Sequence, residues 1–504
     1  MKHIKKAALV LIAVLVAAFA AGCAGSGSST GTTGGKGNGS DKILNSTAES
    51  NTPMAFLQGT EKDMIICNNQ VTELPGKITD TCFNDDHTVL YYILDGELYL
   101  NVGGRSNVVD QCVDIIDLDW DNAVCMYRAE DNDVKLYSPK TGEIVTYTLP
   151  NGYASARCRA ISPDGSAFAY RDTENGYLML CRDGECITLE KDMNIKVIAG
   201  VSDNGELVYV YERLTCDLYC YRSSGEKTLL WSRNREDHFI PGVEYNADKT
   251  QILLKKDNNT YFSENAEPAV FFAAGYVEPM LDKPANDLYG QLYVNEEGAV
   301  TRIERNSECS RVLLSAEDVY QVNVRLDQSE KYIIYQNYQM EFRYVSADIR
   351  ENAAQNSILI FTENTDQPLT FYCPIYFSED FSFAYFVTYE DSTRGETYTL
   401  QYGDPTGNKK IAEVYEQAGW GGGTRLAGNG KGIYYTSADG LYYYDGNTSM
   451  LLADGPHKIT HSGSFLAYKY SLDEDGYLSD HFEAVYLVHD DHTMQQLPVE
   501  DRSE

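Results

Sequence analysis

The residues of this 504-residue chain best able to do chemistry are its acids, its late histidines and its cysteines. Asp117, Asp119 and Asp121 in "DLDWDN", with Asp473 and Asp475 in "SLDEDG", have the alternating spacing of a calcium loop. The twelfth position of such a loop needs a bidentate glutamate, and here Arg128 and Phe482 stand there. Asp119 and Asp121 are instead expected to satisfy backbone N–H groups in a turn. His457, His461, His481, His489 and His492 fall late in the chain, and "HDDH" could set two imidazoles across a turn. A solvated hairpin tip accounts for that tetrapeptide equally well. G-x-S-x-G occurs once, at Gly27–Gly31, with neither the strand before it nor the helix after it that a nucleophile elbow requires. "GWGGGTRLAGNGKG" from Gly419 fails as a phosphate loop, because Arg425 stands five residues before Gly430 and Gly432 follows Lys431. It reads as a glycine-rich turn. No spacing singles out a carboxylate pair for glycoside chemistry. Three tryptophans, at 120, 231 and 420, are few for a sugar-stacking platform. No catalytic residue, metal ligand or cofactor site is therefore assigned, and the expectation is a protein without enzymatic activity.

Of the 12 cysteines, Cys181 and Cys186 in "CRDGEC" flank a two-residue Asp183-Gly184 turn. Such a hairpin sets the two side by side at a closely spaced pair, which makes them a disulfide candidate. Cys216 and Cys220 lie about 13 Å apart on a strand, too far to bond. The remaining cysteines read as small buried apolar residues, and no C-x-x-C spacing occurs.

The elements that must carry these residues repeat. "ISPDG" at 161 has relatives in "FNDDH" at 83, "LDWDN" at 118, "VSDNG" at 201, "YNADK" at 245, "LDQSE" at 326, "FSEDF" at 377, "LAGNG" at 426 and a worn "ITHSG" at 459. A tenth, degraded copy begins near Leu281. About six residues after each start comes an apolar strand such as "VLYYI", "FAYRD" or "YIIYQ", and a third strand follows in most copies. The period is about 42 residues, the length of a four-stranded propeller blade. Sandwich strands alternate apolar and polar, whereas these are apolar on both faces, as a blade packed between blades requires. The 39 tyrosines fit the same picture, each burying a ring while keeping a hydroxyl for water or backbone. The expected fold is all-β: a propeller of about ten four-stranded blades over residues 54–504, in one large ring or two smaller ones. Three segments read as insertions between strands, 337–356 (with a helical stretch at 346–355), 389–396 and 472–483, and loops of that kind often carry recognition. "SPDGSAFAY", "YLML" and "DGE" resemble the WD40-like repeats of TolB-type proteins and of prolyl-oligopeptidase relatives. TolB-type resemblance implies an interaction scaffold. The small α/β domain that precedes the TolB propeller is missing here, so that family's partners do not carry over.

At the N-terminus, Lys2, Lys5 and Lys6 precede a 15-residue apolar run, Ala7–Ala21. As a helix it spans about 22 Å, short of a hydrocarbon core of about 30 Å, so residues 1–22 read as a signal peptide. "FAAGC" resembles the lipobox of bacterial lipoproteins, with Ala20 where that pattern favours Leu. The resemblance implies cleavage before Cys23 and lipidation of its sulfur, which would anchor the chain to a membrane. Residues 23–53 then form a Gly/Ser/Thr-rich tether with a reach of about 30 Å. The net charge is −34 and falls to −37 once the three signal lysines are removed. Such a surface repels nucleic acid at short range, so nucleic acid is excluded as a partner. Together these readings predict a lipid-anchored protein facing the extracytoplasmic side and binding a protein, a peptide or an envelope glycan. The competing reading is an extracytoplasmic carbohydrate-active enzyme with acids gathered at the propeller channel. Convergence of carboxylates at one mouth would favour the second reading, and a scattered lining the first.

Overall fold

The computed structural model describes residues 52–499 apart from 193–195, 213–214, 216, 233–242, 257–258, 282, 306–310, 321–323, 328, 351, 364–374, 393–394, 415–422, 461–462 and 473–477. The expectations for the signal peptide, Cys23, the tether, Gly27–Gly31, Cys216, Gly419–Trp420, His461, Asp473 and Asp475 lie outside the described residues.

The strands form eleven antiparallel sheets, ten of four strands and one of three, each keeping chain order. They are the blades of an all-β propeller. The chain divides into two compact units. The unit at 78–315 holds six blades, at 80–111, 114–147, 156–190, 196–232, 243–274 and 277–314. The other holds the seventh to tenth blades, at 324–362, 375–414, 424–454 and 457–497, together with the three-stranded sheet at 54–73. The ten four-stranded blades correspond to the ten sequence repeats, the Leu281 copy included. The extra sheet packs Leu57, Met64 and Ile66 against Leu466, Val485 and Leu487 of the tenth blade.

Second strands are the apolar heart of each blade. Val89–Leu94 is buried at every position, and Val124–Tyr127 and Leu207–Tyr211 likewise. Their side chains serve two blades at once: one cluster joins Tyr91 and Leu98 to Cys125 and Tyr137, and the next joins Val124 and Leu136 to Phe168 and Tyr170. Burying each such side chain is worth about 1.5–3 kcal/mol. First strands of neighbouring blades pack together, at 80–83 with 114–119 and at 156–161 with 196–201, and so form the inner edge. Fourth strands face solvent, and most carry a register shift against the third. Such a bulge bends the outermost strand and blunts its tendency to pair with another chain.

The turn between first and second strands explains the repeated letters. Its first polar residue accepts a hydrogen bond from the amide five residues on: Asn84 from Val89 (2.8 Å), Ser162 from Ala167 (2.9 Å), Ser202 from Leu207 (2.9 Å), Asn246 from Gln251 (2.9 Å) and Ser378 from Phe383 (3.1 Å). The aspartate two residues later accepts the amide two beyond itself, as Asp86, Asp164, Asp248 and Asp380 do. In three blades a tyrosine then ties the next turn to the blade before it. The hydroxyls of Tyr91, Tyr209 and Tyr385 donate to the carbonyls of Ala123 (2.8 Å), Lys249 (2.9 Å) and Lys431 (2.6 Å).

All three expected insertions are corrected. Residues 337–356 contain the seventh blade's third strand, Glu341–Ser346, paired on both sides, and the helix there is reduced to Ala353–Asn356. The other two segments belong to lengthened hairpins, in strands Ala384–Ser392 with Gly395–Asp404 and Leu466–Leu472 with Leu478–Val488.

Ser202→Ala leaves a buried backbone amide unpaired and is expected to cost about 1–3 kcal/mol, and Tyr209→Phe, which frees a half-buried carbonyl, about 0.5–1.5 kcal/mol. Exposed Thr406→Ala, in a solvent turn, should stay within about 0.5 kcal/mol. Urea unfolding followed by tyrosine fluorescence compares the three.

Candidate functional site

In the 78–315 unit the first-to-second-strand turns meet at one mouth and contact one another in sequence. The Asp85 amide donates to the Trp120 carbonyl at 3.4 Å. Between the second and third blades, Gly165 (φ 77°) lies where a Cβ would come within 3.0 Å of Ser138 and Val124, so a side chain there would clash. The Asn204 amide donates to Asp164 Oδ2 (3.0 Å), the Asp203 amide to the Asp248 carbonyl (3.0 Å) and the Ala247 amide to the Ala285 carbonyl (2.8 Å). Lys283 returns to the first blade with an ion pair to Asp86 Oδ2 at 2.8 Å, which closes the circuit. Lys249 on the fifth blade reaches Asp119 on the second at 3.3 Å, bracing the mouth across its width.

The acids of this mouth fall into two sets. Asp86, Asp119, Asp164 and Asp248 are turn acceptors. Burial pushes the Asp86 carboxyl up, but Lys283 and Thr88 outweigh it and hold the group below its ordinary value. Asp164 is held down in the same way, with Ser162, Ser166 and the Asn204 amide outweighing burial. Asp121 and Asp203 are in the opposite condition. Burial, then the charges of Asp119 and Asp85, push Asp121 up against Lys249 and Lys283. Burial, then Asp164, push Asp203 up to about 6, and its buried Oδ1 has no hydrogen-bond partner among the described residues. Beside Asp121, Trp120 is 51% exposed. Repeat position could have marked Trp120, since no other copy carries an aromatic ring of phenylalanine, tyrosine or tryptophan at that third position.

Other residues marked in the sequence lie elsewhere. Asp117 accepts the Leu118 amide at 2.9 Å and Asp119 the Asn122 amide at 2.8 Å, so "DLDWDN" is wired as a turn. Cys181 and Cys186 stand opposite one another with Cα atoms 4.1 Å apart and are joined by a disulfide. Cys82, Cys112 and Cys125 share the cluster between the first two blades. Burial pushes Cys82 up to about 11 and Cys112 up to about 12, which keeps them protonated and unreactive. "HDDH" is a hairpin tip, with the His492 amide on the His489 carbonyl at 2.9 Å. The His492 ring stacks on Tyr443 at 4.0 Å, and its Nδ1 shares a hydrogen bond with the Tyr434 hydroxyl at 2.8 Å. His457 is buried, its Nδ1 on the Gly455 carbonyl at 2.7 Å. Gly430 and Lys431 form the ninth blade's turn, where Asn429 accepts the Lys431 amide.

No protein-family model matches the chain, and no curated protein matches it in sequence. Among solved structures, a eukaryotic initiation factor is similar over 72% of this chain and 97% of its own, at 11% identity and a TM-score of 0.35. Tricorn protease is similar over 89% of this chain and 62% of its own, at 9% identity and a TM-score of 0.27. Virginiamycin B lyase from Staphylococcus aureus is similar over 49% of this chain and 92% of its own, at 13% identity and a TM-score of 0.25. The chain thus spans under two thirds of the tricorn protease structure. These are likenesses of fold.

Asp203 supplies a pH test. Its folded pKa, about 6, stands above the ordinary 3.8, so its charge opposes folding at neutral pH, and that cost fades as pH falls from about 6 towards 3.8. Asp203→Asn is therefore expected to raise the melting temperature at neutral pH, with the gain shrinking across that window. A gain that does not change with pH would rule out the titration of this carboxyl as its source.

Proposed function

We propose that the protein is a non-enzymatic binding scaffold, anchored through a lipidated Cys23 on the extracytoplasmic side, whose 78–315 mouth takes a cationic segment of a protein or peptide partner. The observation carrying this reading is Trp120, half exposed on a turn between Asp119 and Asp121. An aromatic face beside carboxylates suits lysine or arginine side chains, because cation–π attraction and ion pairing act on the same group. Asp121 is raised by burial and then by Asp119 and Asp85, and a bound cation would offset the second of these.

The reading as a carbohydrate-active enzyme draws support from Asp203, a raised carboxyl beside an ionised Asp164, the kind of pairing that separates a general acid from its partner. Against it stands the use of Asp86, Asp119, Asp164 and Asp248 as turn acceptors, which leaves few carboxylates at liberty. Release of reducing ends from envelope glycan, abolished by Asp203→Asn, would establish the enzyme.

For the scaffold, an oligolysine peptide is expected to bind the full chain with an affinity that falls as salt rises. Trp120→Ala should weaken it by about 0.5–2 kcal/mol, read by fluorescence anisotropy of a labelled peptide. Undiminished binding by that variant would remove the mouth from the proposal. Cys23→Ser should abolish incorporation of labelled palmitate and release the protein from membranes.

A further inference from the structure

The sheet at 54–73 has three strands where every other sheet has four, and the direction of its strands identifies the one it lacks. Its order is Met54–Leu57, Met64–Cys67, Gln70–Glu73, and among the described residues no strand lies on the other edge of Met54–Leu57. The turn at Asn68 and Asn69 meets the tenth blade's first-to-second-strand turn. The Asn69 amide donates to Ser464 Oγ at 3.4 Å, and the Phe465 amide to Asn69 Oδ1 at 3.3 Å. Pro53 packs against Gly463 of the same turn. Met54–Leu57 and Gln70–Glu73 therefore both start at that end of the blade, and Met64–Cys67 finishes there. In the four-stranded blades second and fourth strands start at that end, whereas first and third strands finish there. The three strands are thus a second, a third and a fourth, and the open edge of Met54–Leu57 is the one that a first strand covers elsewhere.

The far end of the chain arrives at that edge in register. In the other blades a fourth strand is followed by the first strand of the next blade. After the tenth blade's fourth strand, Met494–Leu497, the Pro498 carbonyl accepts the Thr60 amide at 3.2 Å, and Val499 forms an antiparallel bridge with Gly59. The ninth and tenth blades make the same hydrogen bond one residue before their first strands begin. There the Gly423 carbonyl accepts the Thr436 amide (2.7 Å) and the Pro456 carbonyl the Tyr470 amide (3.0 Å), and the next partners are Thr424 with Tyr435 and His457 with Lys469. Val499 with Gly59 is the same step, so Val499 occupies the opening position of a first strand. The Thr60 bond makes Val499 and Gly59 a non-hydrogen-bonded pair. By alternation Gln58 and Phe56 offer their backbone groups to the incoming strand, and Ala55 faces position 503 in another closely spaced pair.

We propose that residues 499–504 pair antiparallel with the open edge of Met54–Leu57 as the first strand of the eleventh blade, so that the C-terminal end of the chain clasps the sheet formed by its N-terminal end. An edge strand left with unpaired N–H and C=O groups is a template for another chain, and the chain's own tail removes that template.

Paired cysteines in the full chain test the register. Ala55→Cys with Ser503→Cys is expected to form an intrachain disulfide on mild oxidation, mapped by mass spectrometry, because such a pair lies within the span a disulfide bridges. Ala55→Cys with Arg502→Cys, one residue out of register and on the opposite face, should form it at least tenfold less. A chain ending at Val499 should exchange the amide hydrogens of 54–58 about tenfold or more faster than the full chain, while the blade at 156–190 exchanges as before and reports that the fold is intact. Equal crosslinking by the two pairs, crosslinks only between separate copies, or unchanged exchange at 54–58 in the shortened chain overturns the proposal.

Discussion

The whole architecture depends on closing one turn per blade. Where the first strand folds back into the second, the chain reverses at the crowded inner end, and an amide left unpaired there would cost about 1–3 kcal/mol. A buried Asn or Ser takes that amide from five residues away, as at Asn84, Ser162, Ser202, Asn246 and Ser378. An aspartate steadies the same turn from within. Because the turn is rigid, its outward backbone groups become fixed contacts for the neighbour. The Tyr209 hydroxyl meets Lys249, and the Asp203 amide meets Asp248. Local turn chemistry is thereby converted into the spacing of whole blades.

The tyrosines follow from the same constraint. A second strand buried on both faces must be apolar, yet it must also signal to the next turn across an interface that is otherwise greasy. Tyrosine satisfies both demands with one side chain, the ring entering the cluster and the hydroxyl emerging at its edge. Tyr91, Tyr209 and Tyr385 do this from equivalent places. Phenylalanine at those sites would pack equally well and leave a carbonyl stranded.

Much of the fold was legible because these demands leave marks in the letters. The polar turn recurs at a fixed offset from a doubly apolar strand, and that pair alone located ten blades. The sheet at 54–73 was not legible, because its strands are four residues long and its tight turn is built on Asn68 and Asn69, both at positive φ, in place of the repeated grammar. Glu341–Ser346 was mistaken for loop because its polar residues pair within the sheet, Arg343 with Glu341 and Ser357. The site was less legible still. The convergence of six turns does not follow from local spacing, since it depends on how separate blades are phased.

The acidity of the chain has a structural origin that bears on function. Aspartate is the residue that a turn of this shape consumes, so a repeat protein accumulates negative charge merely by repeating. Asp86, Asp164 and Asp380 are held low because their charge is used, Asp380 against groups of its own turn, Asp86 also against Lys283 and Asp164 also against the Asn204 amide. Functional meaning belongs instead to the charges that this logic does not require. Asp121 and Asp203 are pushed up by burial and then by neighbouring acids, and Arg325 is a cation with no acid beside it among the described residues. Nothing in blade closure asks for two raised carboxyls or for a guanidinium facing no acid among the described residues.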